Sequence, residues 1–184
     1  MEVINIYTDG ACSGNQSKEN FGGWGTVLEF MGRQKELYGG TANTTNNRME
    51  LTAVIEGFRA LKKSGLTVRV FTDSSYVANC FRESWHINWQ KNGWFTSNKK
   101  PVENKELWQE LLKLMDGHQV SFYRVKGHIN LESKSVDVKK HYEKFLAING
   151  NDFSMDDFKY IIKMNNIVDG LAVKGAEEAK SKEI

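Results

Sequence analysis

The sequence predicts a mixed α/β (α+β) fold, a sheet flanked by helices. Three observations predict it. Short β-branched and aromatic runs end at Asp-Gly or Gly-Gly, apolar stripes at helical spacing follow them, and the segments fall in the order β-β-β-α-β-α-α-β-α. With 184 residues, 40% of them hydrophobic, and one proline, the chain is of a size to bury one core, so a single domain over 1–184 is expected.

"VINIYTDG" gives the first strand and stops at Asp9-Gly10, and "GGWGTVLEF" and "GRQKELYGG" give two more, joined by a turn at Met31-Gly32. Together they predict an antiparallel meander. "TTNNRMELTAVIEGFRALKKSG" then offers Thr or Asn caps, an apolar set at helical spacing and a terminal Gly65. "LTVRVFTD" reads as a strand, "SSYVANCFRES" as a short helix, "ENKELWQELLKLMDG" as a longer helix and "QVSFYRVKG" as a strand. Between Ile129 and Lys163 two extra helices are expected. Val138, Tyr142, Phe145, Leu146 and Asn149 share one stripe, and Ser154 and Asp157 stand at capping-box spacing. The charged tail over 175–184 is expected to fray.

A formal charge of +2 gives no global argument for nucleic acid, so only local clusters can supply one. Cys12 and Cys80 lie far apart with no CxxC pair, and no charged leader or long apolar run precedes "MEVINIYTDG". A reduced, cytoplasmic chain without membrane contact is expected. No His/Cys cluster points to zinc, no GxxxxGK[ST] to a phosphate loop, and no Ser/His/Asp spacing to a nucleophilic triad.

The informative residues are acids. If the strands ending "YTDG" and "FTDS" lie side by side and parallel, Asp9 and Asp73 emerge at one sheet edge, where α/β sheets bind ligands. Glu50 shares a helical face with Val54, Gly57 and Leu61, and an acid on a core-facing stripe is costly unless something compensates it. Taken singly, an Asp-Gly at a strand end is a turn and an Asp-Ser is a helix cap. Jointly, three converging carboxylates repel one another unless a divalent cation holds them, and hard oxygen ligands point to Mg²⁺ or Mn²⁺.

"YTDGACSGN", "TTNNRMEL", "FTDSSYV", "VKGH" and "NNIVDGLA" occur in the order seen in type 1 ribonuclease H, and the chain is most similar to the bacterial ribonuclease HI group over residues 1–128 and 165–180. The resemblance implies the five-stranded mixed sheet of that family. It also implies a two-metal mechanism and cleavage of the RNA strand of RNA/DNA hybrids, leaving 5′-phosphate and 3′-hydroxyl ends. Asp9, Glu50 and Asp73 match three of the family's four acids, and His128 matches the histidine linked to proton transfer and product release. Cys12, Asn15, Thr45, Asn46 and Asn47 match positions that contact the hybrid, while Ser75 stands where relatives commonly have Gln. Read without the resemblance, Asn46 and Asn47 are helix caps.

Arg82 to Lys105 combines five Lys/Arg and two Glu with Trp85, Trp89 and Trp94. Composition alone allows buried tryptophans beside a solvated lysine face. The resemblance implies a basic protrusion that grips the DNA strand through Trp85, Trp89, Trp94, Lys91, Lys99 and Lys100.

The sequence departs from the family at the fourth acid, which there follows the histidine closely. Asp137 lies nine residues beyond His128 and Asp169 forty-one. Spacing chooses Asp137, but Lys134, Lys140 and His141 surround it at helical steps, as on a solvated ion-pair face. Asp169 has the family context, with Asn165 before it and Leu171-Ala172 after it. Asp169 is therefore expected to complete the site, with residues 129–164 a helical insertion that returns the chain to the same place. A monomer is expected, with an extra partner for the insertion left open. Two rival readings remain: a hybrid-binding module without catalysis, which retention of all the acids opposes, and a sugar-kinase-like ATPase, for which 184 residues are too few.

Overall fold

A computed structural model describes residues 2–13 and 19–182. Five strands, β1 (Val3–Ser13), β2 (Phe21–Phe30), β3 (Arg33–Ala42), β4 (Thr67–Thr72) and β5 (Gln119–Arg124), form one sheet in the order β3-β2-β1-β4-β5. The meander β1-β2-β3 is antiparallel, and β4 and β5 add parallel to β1. This is the mixed five-stranded sheet expected.

Strand alternation divides the core in two. Ile4, Ile6, Val68 and Val70 face α1 (Asn46–Arg59), α2 (Ser75–Arg82) and α4 (Lys105–Met115), around the fully buried Trp108. Tyr7 and Phe71 face the other way, toward α5 (Val138–Asn149) and α6 (Met155–Ser181). Helices thus cover both faces, as parallel strands require.

Local signals account for the helix starts. Thr45 caps α1 by accepting from the Arg48 amide, Ser74 caps α2, and Ser154 with Asp157 forms the expected capping box of α6. Four expectations need correction. α1 ends at Arg59 rather than at Gly65, because the chain turns there toward β4 and the Gly65 amide donates to the Gly117 carbonyl. β1 runs on to Ser13 rather than stopping at Asp9-Gly10, because it keeps pairing with β2 out to Phe21. Trp85–Asn92, to which the sequence assigned no element, is a short helix, α3. The tail does not fray from 175: α6 runs to Ser181, because Gly175 and Ala176 are packed against the sheet.

The two extra helices of the 129–164 segment are α5 and the first part of α6. That second helix does not stop at the segment's end. It continues unbroken through "NNIVDGLAVKGA", so α6 spans 27 residues, about 40 Å. Its first half sits in an aromatic cluster in which the ring of Phe145 lies 5.3 Å from Phe158 and 5.2 Å from Phe153. Its second half lies on glycines of β2 and β3. A methyl group on Gly23 would stand 1.9 Å from the Ala172 carbonyl oxygen, and one on Gly40 would stand 2.1 Å from that of Gly175. Among the described residues no helix is long and apolar enough to cross a membrane.

Candidate active site

The register sets the first two acids. Thr8 pairs with Thr72 at the last step of the parallel β1–β4 ladder, so Asp9 and Asp73 each follow that final parallel pair, Asp9 still within β1 and paired with Gly25 of β2. α1 delivers Glu50 to them from its first turns. That approach depends on Gly10, where a methyl group would lie 2.4 Å from the Glu50 amide nitrogen. Carboxylate oxygens of Asp9, Glu50 and Asp73 then lie within 4.8 Å of one another, the one such group of potential metal ligands among the described residues.

Asp169 reaches the same place from α6. A methyl group on Gly25, the residue paired with Asp9 across β1–β2, would lie 2.4 Å from the Val168 carbonyl oxygen. Bare backbone at Gly25 therefore lets α6 press against the sheet beside Asp9. Asp169 and His128 line one cleft of about 460 Å³ with Asp9, Glu50 and Asp73, and His128 Nδ1 stands 3.8 Å from Asp169 Oδ2. His128 is exposed and holds a left-handed backbone (φ 60°) that is uncommon for a residue other than glycine. Gly127 before it lies against the Asp73 carboxyl. Asp137 is elsewhere. It is exposed, and its side chain accepts from the Lys140 amide as the N-cap of α5, not from an ion-pair face.

Burial and mutual repulsion load this cluster with protons. The Asp9 carboxyl, 3% exposed, is pushed up to about 8, chiefly by burial and then by the charge of Asp73. Glu50 is raised well above the usual carboxylate range by burial and by Asp9 and Asp73, and Asp73 is raised by burial first. The Gly10 amide, 2.8 Å from Asp9 Oδ1, offers backbone relief to Asp9, and the buried Glu50 Oε2 has no hydrogen-bond partner among the described residues. Hard, desolvated oxygens short of donors match what a small divalent cation needs.

The remaining expected residues divide. Cys12, Asn46 and Asn47 line the cleft. Cys12 Sγ contacts the Thr44 carbonyl at 3.8 Å, and burial raises its thiol. Thr45 is the helix cap, so Asn46 and Asn47 are spared that duty and make no side-chain hydrogen bond among the described residues. Asn15 lies outside the described residues. Ser74, Ser75 and Tyr76 also line the cleft; Ser74 and Tyr76 were missed because they follow Asp73 as an unremarkable helix start. Trp85, Trp89 and Trp94 are not in the cleft. They pack on one another at tilted angles, and the ring of Trp89 lies 5.6 Å from that of the core Trp108, while Lys91, Lys99 and Lys100 remain exposed around them. The rings are thus partly buried against the core, with exposed lysines around them.

The family model for RNase H matches residues 1–140. A ribonuclease H of Thermoanaerobacter sp. (strain X514) is 54% identical over 132 residues, which is 72% of this chain and 83% of the relative. One from Caldanaerobacter subterraneus subsp. tengcongensis is 47% identical over 150 residues, 78% of this chain and 95% of the relative. The structure is similar to a crystal structure of LC9-RNase H1, described as a type 1 RNase H with the type 2 active-site motif. The TM-score is 0.67 at 28% identity, covering 97% of this chain and 74% of that one. The family match ends before Asp169, yet the structural match spans nearly the whole chain. On the sequence match, the fold and the acids gathered at one sheet edge, this chain belongs to the ribonuclease H family.

Proposed function

We propose that the chain is an endonuclease that hydrolyses the RNA strand of RNA/DNA hybrids at the four-acid cleft, leaving 5′-phosphate and 3′-hydroxyl ends. The observation that carries this reading is the meeting of Asp9, Glu50, Asp73 and Asp169 beside His128 in one cleft. Two divalent cations, Mg²⁺ with Mn²⁺ as substitute, supply an activated water and a neutralised leaving oxygen when bound. Asp9, Glu50, Asp73 and Asp169 would hold them, Glu50 and Asp73 with Asp9 toward the leaving group and Asp169 with Asp9 toward the water. His128 takes up a proton at Nδ1 beside Asp169 and, being exposed, exchanges it with solvent. Cys12, Asn15, Asn46, Asn47 and the Thr45 hydroxyl read the 2′-hydroxyls that separate RNA from DNA. The cations Lys91, Lys99 and Lys100, on the surface built by Trp85, Trp89 and Trp94, neutralise the DNA strand. The chain acts as a cytoplasmic monomer.

Incubation of labelled RNA/DNA, RNA/RNA and DNA/DNA duplexes with Mg²⁺ tests this directly. Only the RNA of the hybrid should be cut, EDTA should stop the reaction, and the new 5′ ends should be phosphatase-sensitive. Equal cutting of all three duplexes would refute the specificity.

Cation and protons compete for the same oxygens. The folded Asp9 holds its proton up to about pH 8, far above the ordinary carboxyl value, so the metal-free fold is favoured at low pH and loses that advantage as pH rises through 8. The melting temperature of the EDTA-treated chain should therefore fall between about pH 6 and about pH 9, and the rise produced by Mg²⁺ should be larger at the higher pH. An equal Mg²⁺-induced rise at both pH values would show that no such competition exists.

A further inference from the structure

The insertion walls a second cavity beside the acids. It holds about 320 Å³ between the end of β5 and α5, and Asp73 lines both it and the four-acid cleft. Arg124 and Lys126 enter from the strand end, and His141 and Lys144 from α5. None of these four side chains is in an ion pair among the described residues. The buried rings of Phe145 and Phe158 line the cavity with apolar surface.

The wall is fixed in place. Asn149, at the end of α5, accepts from the Arg124 amide at 3.0 Å and donates to the Arg124 carbonyl at 2.8 Å, closing the edge of β5 as another strand would. Arg82 donates to Asn149 Oδ1 at 3.3 Å and also to the Ile148 carbonyl. Charge is concentrated here: residues 124–149 carry six Lys/Arg and three Asp/Glu in a chain of net +2.

We propose that this cavity takes a backbone phosphate of the nucleic acid seated in the four-acid cleft, making the insertion a second clamp on the substrate. A polyanion held at the acids and continuing past Asp73 meets unpaired cations at once, with apolar surface for its sugars below them. The Trp-rich segment and α5 pack on opposite faces of the sheet, so the duplex is flanked by cationic surface on both sides of the acids. The proposal rests on the hybrid being the substrate.

Steady-state cleavage of the hybrid across a salt series tests it, with the full chain, Lys144→Ala and the Arg124→Ala/Lys144→Ala pair. The pair should raise KM about tenfold at physiological salt, flatten the slope of log KM against log salt by roughly two contacts' worth, and leave kcat at saturation unchanged. Lys144→Arg should restore the slope of the single variant, and Lys144→Ala, an exposed helical change, keeps the test sound if Arg124→Ala disturbs folding. Unchanged KM and slope in variants of a chain that cleaves the hybrid would overturn the clamp alone, as would a fall in kcat at fixed KM. A wild-type chain that leaves the hybrid intact would overturn the substrate reading, and the clamp with it.

Discussion

Asp169→Asn lowers kcat for hybrid cleavage by about a thousandfold or more, equivalent to roughly 4 kcal/mol of transition-state stabilisation, while Asp137→Asn changes it less than about twofold. The contrast follows from where each carboxyl stands. Asp169 lines the cleft with Asp9 and stands 3.8 Å from His128, so an amide there removes a carboxylate oxygen from the place where the acids gather opposing charge. Asp137 is an exposed helix cap, and asparagine caps helices as well as aspartate does. The Asp137 variant should therefore also melt unchanged. Parallel measurements of kcat on both variants decide the matter, and the opposite ranking would transfer the fourth acid to Asp137.

Gly25→Ala carries the second large effect. The added methyl would sit 2.4 Å from the Val168 carbonyl oxygen, and ordinary contact needs about an ångström more, so α6 must lift from β2 next to Asp169. A shift of that size in one member of a catalytic set costs about a hundredfold in kcat, and overpacking of this kind costs about 1–3 kcal/mol of stability, several degrees of melting temperature. Gly170→Ala is the matched control. It is one residue from Asp169, an added methyl meets nothing within 4 Å, and alanine favours the helix, so it should raise the melting temperature with cleavage intact. Full activity in Gly25→Ala would mean that the close seat of α6 does not place Asp169.

Much of this was legible in the sequence because the signals are local. Five strand segments, the caps at Thr45, Ser74 and Ser154, and the stripe that buries Glu50 all act within a few residues, and the resemblance supplied the order in which they assemble. Asp9 and Asp73 were readable because both follow the last step of the parallel β1–β4 pairing. The role of Asp137 was misread because helical spacing shows which residues are neighbours on a helix, but not that the helix begins one residue later. Continuity of α6 was illegible for a related reason: nothing in "KMNNIVDG" breaks a helix, so two segments with separate meanings carry no mark that they form one rod. Gly10, Gly25 and Gly127 were invisible as site residues, since a close approach is a property of two segments and only one is in view at a time. How the tryptophans pack was illegible because composition does not tell a ring's packed face from its open edge.

The seating of α6 on bare backbone has a consequence for how this chain is compared with others. Distance along the polypeptide from His128 to the last acid is not what the site specifies; the specification is written crosswise, in the glycines of β2 and β3 that accept the helix. Material added ahead of Val168 lengthens the rod at its far end and leaves the docked end where it was. On the proposed assignment, Asp169 takes its place by where α6 is seated rather than by its count from His128, and the family match, which ends at 140, stops short of that seat.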